Sequence, residues 1–138
     1  MVHAELSSQL MICVKNAVGS LAHVTSTISS SGINMHAICA YAVEDTVAIM
    51  FVTQDNNEAR KILEKQEYVV REEEVVLLTV DNKPGALQAV TERIADAGVN
   101  LTLIYGSVDR ESAQSRIVLI AENNLDVMMV VRTQLERG

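Results

Sequence analysis

Apolar and polar positions along this chain follow two rhythms, and each rhythm occurs twice. The clearest stretch is residues 81–100, DNKPGALQAVTERIADAGVN. Leu87, Val90 and Ile94 fall at i, i+3 and i+7, and Ala97 extends that stripe, which predicts a helix over 85–97 with these side chains inward. Pro84 presets a helix-compatible φ at the helix start, where a missing N–H costs little. Gly85 allows a close turn and leaves nearby N–H groups open. Gly98 stands where a left-handed C-terminal cap belongs. From Val99 the helical spacing ends and an apolar run of strand type begins.

The same pattern lies earlier in the chain. Asn16, Gly19, Leu21, Val24, Thr25, Ile28, Gly32 and Asn34 match Asn82, Gly85, Leu87, Val90, Thr91, Ile94, Gly98 and Asn100. Every pair is 66 residues apart, from 16 to 82 through 34 to 100, without a gap. Such register identifies a tandem repeat of one small unit, with repeats over 1–72 and 73–138.

The remaining elements follow from period-2 runs and turn signals. Strands are expected at 8–14, 33–42, 46–53 and 68–71, with helices at 20–31 and 58–65. Leu21, Val24 and Ile28 point inward from the first helix, and Ala59, Ile62 and Leu63 from the second. The order is βαββαβ. Glu72-Glu73-Glu74 reads as a solvated connector. The second repeat then runs through a strand at 75–80, the helix at 85–97, strands at 101–107 and 116–122, and a last helix at 125–135. Its hairpin loop, 109–115, is three residues longer than in the first repeat, with Ile49 aligned to Val118. No fourth strand follows. The fold class is α+β: two ferredoxin-like βαββαβ repeats side by side, antiparallel sheets with helices on one face, and a second sheet with an uncovered edge. That edge invites pairing, either with the N-terminal segment near residues 3–6 or with a second subunit, and a homodimer is expected on this ground.

Composition narrows the function. Hydrophobic residues make up 49% of 138, enough for a packed core. Net charge is −7, and the acidic excess is spread over both repeats: 5 basic and 8 acidic residues in 1–72, 6 and 10 in 73–138. With no basic face, no Trp and a single Phe, neither nucleic acid nor an anionic membrane is expected as a partner. There is no apolar run of about 20 residues for a membrane span. There is also no basic n-region for a signal peptide. A soluble cytoplasmic protein is expected. Cys13 and Cys39 lie in apolar strand-like runs and read as reduced, buried thiols. Their spacing, with His36, matches no metal motif. His36 reads as partly buried in its strand, His23 as surface-exposed, and Met128 and Met129 as core filling. No nucleophile elbow, phosphate loop or His-Glu-x-x-His is present.

An Asn-x-x-Gly-x-Leu turn before a helix that ends in Gly-Val/Ile-Asn, within a βαββαβ unit, resembles the ACT domain. The second repeat matches closely, through Asp81-Asn82-Lys83-Pro84-Gly85-Ala86-Leu87 and Gly98-Val99-Asn100. The first matches through Lys15-Asn16-Ala17-Val18-Gly19-Ser20-Leu21 and Gly32-Ile33-Asn34, with Val18 in place of the usual Pro. The resemblance implies a regulatory module that binds a small amino acid; with no catalytic motif in the chain, neither a catalytic role nor a cofactor is expected. It implies pairs of units joined through their second strands into an eight-stranded sheet, with ligand between the turn of one and the second-strand start of the other. Carried over by position, the implied contacts in the first repeat are Asn16, Gly19, Ser20, Leu21, Asn34 and Met35. In the second repeat they are Asn82, Gly85, Ala86, Leu87, Asn100 and Leu101. Asn16 would pair with Asn100, and Asn82 with Asn34. Val14 and Val80 stand where some relatives carry a His, so a serine-binding subtype is not implied.

The chemistry suits that role. A glycine turn at a helix N-terminus presents N–H donors and a positive dipole end to a carboxylate. Asparagine offers both donor and acceptor without fixed charge. The same asparagines also read as plain turn or cap residues on local grounds. The expected function is a stand-alone regulatory protein signalling through a partner. The alternative is a regulatory subunit of an amino-acid-metabolism enzyme, docking by its sheet edge and lacking a small-molecule site.

Overall fold

The computed structural model of the chain describes residues 2–107 and 110–136. These residues form two compact units. One spans residues 8–73; the other begins at Glu74 and also takes in the residues ahead of Ser8.

In the first unit the sheet order is β2-β3-β1. β1 (His3–Lys15) pairs antiparallel with β3 (Thr46–Thr53), in a register running from Leu10 opposite Phe51 to Lys15 opposite Thr46. β2 (Met35–Val43) pairs antiparallel with the other side of β3, with a bulge between Met35 and Ala37. Two helices, α1 (Ser20–Ser29) and α2 (Asn56–Lys65), supply the covering layer. Period-2 alternation sends Leu10, Ile12, Ile49 and Phe51 to one face of the sheet. There they meet Val24 and Ile28 of α1 and Ala59 and Leu63 of α2 in one buried cluster. Each large aliphatic or aromatic side chain buried in this way contributes about 1.5–3 kcal/mol.

The second unit repeats this plan. β4 (Arg71–Asp81) pairs antiparallel with β6 (Gln114–Ala121), and β6 with β5 (Leu101–Ser107). α3 (Ala86–Asp96) and α4 (Asn124–Val130), the latter continued by a π-helical turn at Val131–Leu135, bring Val90, Ile94, Val127, Met128 and Val131 onto Leu78, Ile117 and Leu119.

The uncovered edge is filled from within the chain. β4's second strand neighbour is β1, whose first residues belong to this unit. Ala4 is fully buried in its core, Val2 packs against that core, and the Ala4 N–H donates to Glu136 Oε1 at 2.8 Å. The homodimer expected from an open edge therefore loses its argument. Six strands occur among the described residues, rather than eight, because β1 and β4 each serve both repeats. β2 and β5, the second strands, are edge strands with one strand neighbour each among the described residues.

Several element boundaries differ from the sequence reading. Strands 68–71 and 75–80 are one strand, β4, and Glu72-Glu73-Glu74 lies inside it instead of forming a connector. A strand can carry three carboxylates in a row when their side chains reach solvent, and Glu72 meets Arg60 of α2 at 3.3 Å. The registers place Ile49 opposite Ile12 and Ile117 opposite Leu78, so Ile49 corresponds to Ile117, not Val118. The offset after the hairpin is thus 68, and the second loop is two residues longer, not three. Asp109, where that loop was expected to begin, lies outside the described residues. The last helical segment meets the expected 125–135 to within one residue, α-helical over Asn124–Val130 and π-helical over Val131–Leu135. Leu21 and Leu87, expected inward, are exposed at their helix starts, and Ala97 is exposed beyond α3. Met129 is also exposed, while Met128 is in the core. Cys13 is exposed and Cys39 half-buried, and His36 is exposed as well.

Candidate functional site

The turn after β1 is built from local chemistry. Asn16 donates its backbone N–H to the Asp45 carbonyl at 2.6 Å and its side-chain Nδ2 to the Glu44 carbonyl at 3.2 Å. The first turn of the repeat is thereby tied to the β2–β3 hairpin. The chain then passes through Gly19 at φ 87°, ψ −2°, a left-handed conformation in which a β-carbon would be strained. α1 starts on this glycine and has neither a side-chain cap nor an acidic residue in its first turn. Its first-turn N–H groups are therefore not neutralised by a carboxylate of their own helix. Ser20 donates its hydroxyl back to the Lys15 carbonyl at 2.9 Å, which holds the helix start against the strand end.

Beside this helix start is an open cleft of about 630 Å³. Asn16, Gly19, Ser20 and Leu21, all expected site residues, line one side of it. Ala40, Tyr41 and Ala42 of β2 and Val47 of β3 line the other. The cleft exists because α1 and α2 leave the outer edge of the sheet uncovered, where β2 presents small side chains. The β2 wall was not anticipated. No single residue of β2 signalled it: Ala40 and Ala42, which share a face with Val47, are ordinary small residues. Asn34 and Met35 lie elsewhere, in a smaller cleft of about 390 Å³ with Thr25, Ile28 and Ile33.

The second repeat reproduces the turn. Asn82 donates its N–H to the Ala113 carbonyl at 2.9 Å and Nδ2 to the Ser112 carbonyl at 3.0 Å. Gly85 has φ 85°, ψ −9°, and the Ala86 N–H donates to the Lys83 carbonyl at 3.3 Å. Pro84 precedes this glycine within the turn, so it shapes the approach to the helix and does not occupy its first position. Leu87 stands exposed on the first turn. Asn100 Nδ2 lies 3.5 Å from Glu122 Oε2, and the Asn100 carbonyl accepts the Glu122 N–H at 2.9 Å, while Leu101 packs against the core of its unit. In both repeats, then, the turn asparagine donates to the hairpin and does not cap its helix.

A further matched pair of residues was missed. Asn56 accepts the Thr53 N–H at 2.9 Å through Oδ1 and donates Nδ2 to the Ser8 carbonyl at 2.9 Å. Asn124 accepts the Ala121 N–H at 2.8 Å and donates to the Glu74 carbonyl at 3.2 Å. Ser8 and Glu74 are equivalent positions, and each marks the start of its repeat's share of a strand. The 68-residue offset would have revealed the pair. Among the described residues no group of three or more His, Cys, Asp or Glu could hold a metal ion. His23 is at the surface and its Nδ1 meets the Tyr68 hydroxyl. Among the described residues no helix is long and apolar enough to cross a membrane.

Comparison with known proteins agrees with the repeat. Residues 8–71 match the ACT domain model and residues 76–137 the AHAS small subunit-like ACT domain model. The chain is a tandem of ACT domains. No curated protein matches it by sequence. Protein BT0572 from Bacteroides thetaiotaomicron is similar at 26% identity, with 94% of this chain and 88% of that one covered and a TM-score of 0.86. The regulatory subunit of aspartate kinase from Thermus thermophilus shares the fold at 17% identity, with 99% and 98% covered and a TM-score of 0.70. Clostridium acetobutylicum aspartate kinase shares it at 15% identity over 95% of this chain and 32% of that one, with a TM-score of 0.60.

Proposed function

We propose that this tandem ACT chain senses a small amino acid and passes its occupancy to a partner enzyme. The observation that carries this reading is the cleft at the start of α1, which gathers Asn16, Gly19, Ser20 and Leu21 against β2. Its volume falls within the range of sites that enclose small molecules. The α1 N-terminus attracts the ligand carboxylate. The Asn16 amide oxygen and the Ser20 hydroxyl are acceptors for the ammonium group. No nucleophile or acid–base pair is called for, so the output is conformational. A ligand that spans α1 and β2 favours the state in which they are held together, and so changes the surface shown to a partner. The fold shared with a regulatory subunit of aspartate kinase supports an enzyme as that partner.

The test is a thermal-shift scan against the twenty amino acids. A ligand at 100 times its dissociation constant stabilises by about 2.7 kcal/mol. One clear responder is expected, and Asn16→Ala is expected to weaken it. If none responds, the edge strands β2 and β5, with Ile38, Val43 and Ile104 exposed on them, favour the second reading. In that case the protein is a docking subunit without a ligand of its own.

A further inference from the structure

We infer that the two repeats are unequal as ligand sites: the first takes one amino acid with an uncharged side chain, and the second does not take it. This rests on the amino-acid reading above and sharpens it.

The first cleft has no Lys, Arg, Asp, Glu or His among its lining residues. A charged ligand side chain placed there would lose hydration without gaining a partner, which is costly. An aliphatic side chain against Leu21, Ala42 and Val47 would instead gain about fourfold in affinity for each buried methylene. The α-carboxylate and α-ammonium are served by the helix start and by neutral oxygens. The selectivity is therefore for a zwitterion with no net charge.

The second repeat has different chemistry at the equivalent positions. Ala17 becomes Lys83, whose Nζ lies 3.8 Å from Asp81 Oδ2, so an exposed ion pair stands at the turn. Val47 becomes Ser115, which removes an aliphatic floor residue, and Tyr41, whose place in the alternation sends its side chain to the other face of the sheet, becomes Ser107. Ala40 becomes Gly106. A Cβ at residue 106 would stand 2.6 Å from Cδ1 of Ile117, so the Ile117 side chain lies over the strand where the first repeat has room for Ala40. The equivalent Ile49 is fully buried in its own core. Among the described residues the second repeat keeps Asn82, Leu87 and Thr91 of this frame but has Ser115 for the aliphatic floor and Ile117 over the strand.

Isothermal titration with L-valine, L-alanine, L-aspartate and L-lysine tests the inference, alongside two substitutions at equivalent positions, Ala22→Asp and Gln88→Asp. Both place a carboxylate in the first turn of a helix, where it is favourable for folding, so neither variant should unfold. Circular dichroism and melting of each variant check this. The expected result is one neutral ligand bound per chain, weakened about tenfold or more by Ala22→Asp and within twofold of the parent in Gln88→Asp. Two ligands per chain would overturn the inference, as would preference for aspartate or lysine, or loss of binding in Gln88→Asp alone. No heat with any of the four, together with no responder in the thermal-shift scan of all twenty, would overturn the amino-acid reading itself, and the inference with it. That outcome is distinct from all the others.

Discussion

α1 and α3 occupy the same place in the two repeats and differ in almost everything that is not buried. Both start on a left-handed glycine, lack a side-chain N-cap, and bury a Val and an Ile four residues apart, Val24 and Ile28 in one, Val90 and Ile94 in the other. Outward, α3 carries Ala, Gln, Glu and Arg, strong helix formers, with Gln88 donating to Glu92 at 2.8 Å. α1 carries serines and threonines. Ser26 and Thr27 both donate to the His23 carbonyl, whereas the Thr25 bond to the Ala22 carbonyl is matched in α3 by Thr91 and Gln88. Such hydroxyls compete with the helical backbone pattern and lower helix propensity. α1 is therefore held by its packing and its turn more than by its own sequence, and it is the helix that borders the open cleft. The lesson is that the buried frame fixes where a helix lies, while its exposed positions set how easily it opens. The proposed site lies beside the helix of lower intrinsic propensity.

The comparison can be broken most forcefully at the frame. Ile28→Ala and Ile94→Ala should each cost about 2–5 kcal/mol in urea unfolding, because both side chains are buried and leave cavities. A large inequality between them would mean the frames are not equivalent. Asn56→Ala and Asn124→Ala come next, at about 1–3 kcal/mol, since each removes a partner from backbone groups of two elements. Gly19→Ala and Gly85→Ala should each cost about 1–2 kcal/mol. A β-carbon added at either position would meet nothing within 4 Å, so the loss would be backbone strain alone. The smallest effect sharpens the contrast between the helices. Ser26→Ala and Ser29→Ala should stabilise α1 by about 0.5 kcal/mol each and slow its amide exchange, which in the parent should be faster than that of α3.

Much of this was legible in the residues. The 66-residue register, the glycine turns and the Val–Ile stripes follow from local geometry and burial, and local geometry does not depend on what a segment later meets. That Asn16, Gly19, Ser20 and Leu21 share one turn and helix start was legible for the same reason. The opposite wall was not, because Ala40 and Ala42 are ordinary small residues until β2 is placed at an edge that no helix covers. The hydrogen bonds of Asn16 and Asn82 to hairpin carbonyls were also hidden, since their acceptors lie 28 and 30 residues away.

The sequence by itself determined that one βαββαβ plan is used twice, where each helix begins and ends to within a few residues, and that the acidic excess is spread over both repeats. Only the tertiary structure decided that His3 begins a strand long enough to enter the second unit, burying Ala4 there, and that Glu72-Glu73-Glu74 continues a strand instead of linking two. Strand pairing is set by which edge is available at a distance, and the alternation of residues 3–7 or 71–74 contains no information about that edge. The tertiary structure also decided that the exposed turn of α1 has a wall opposite it, because a cleft is formed by elements that the chain places far apart in sequence.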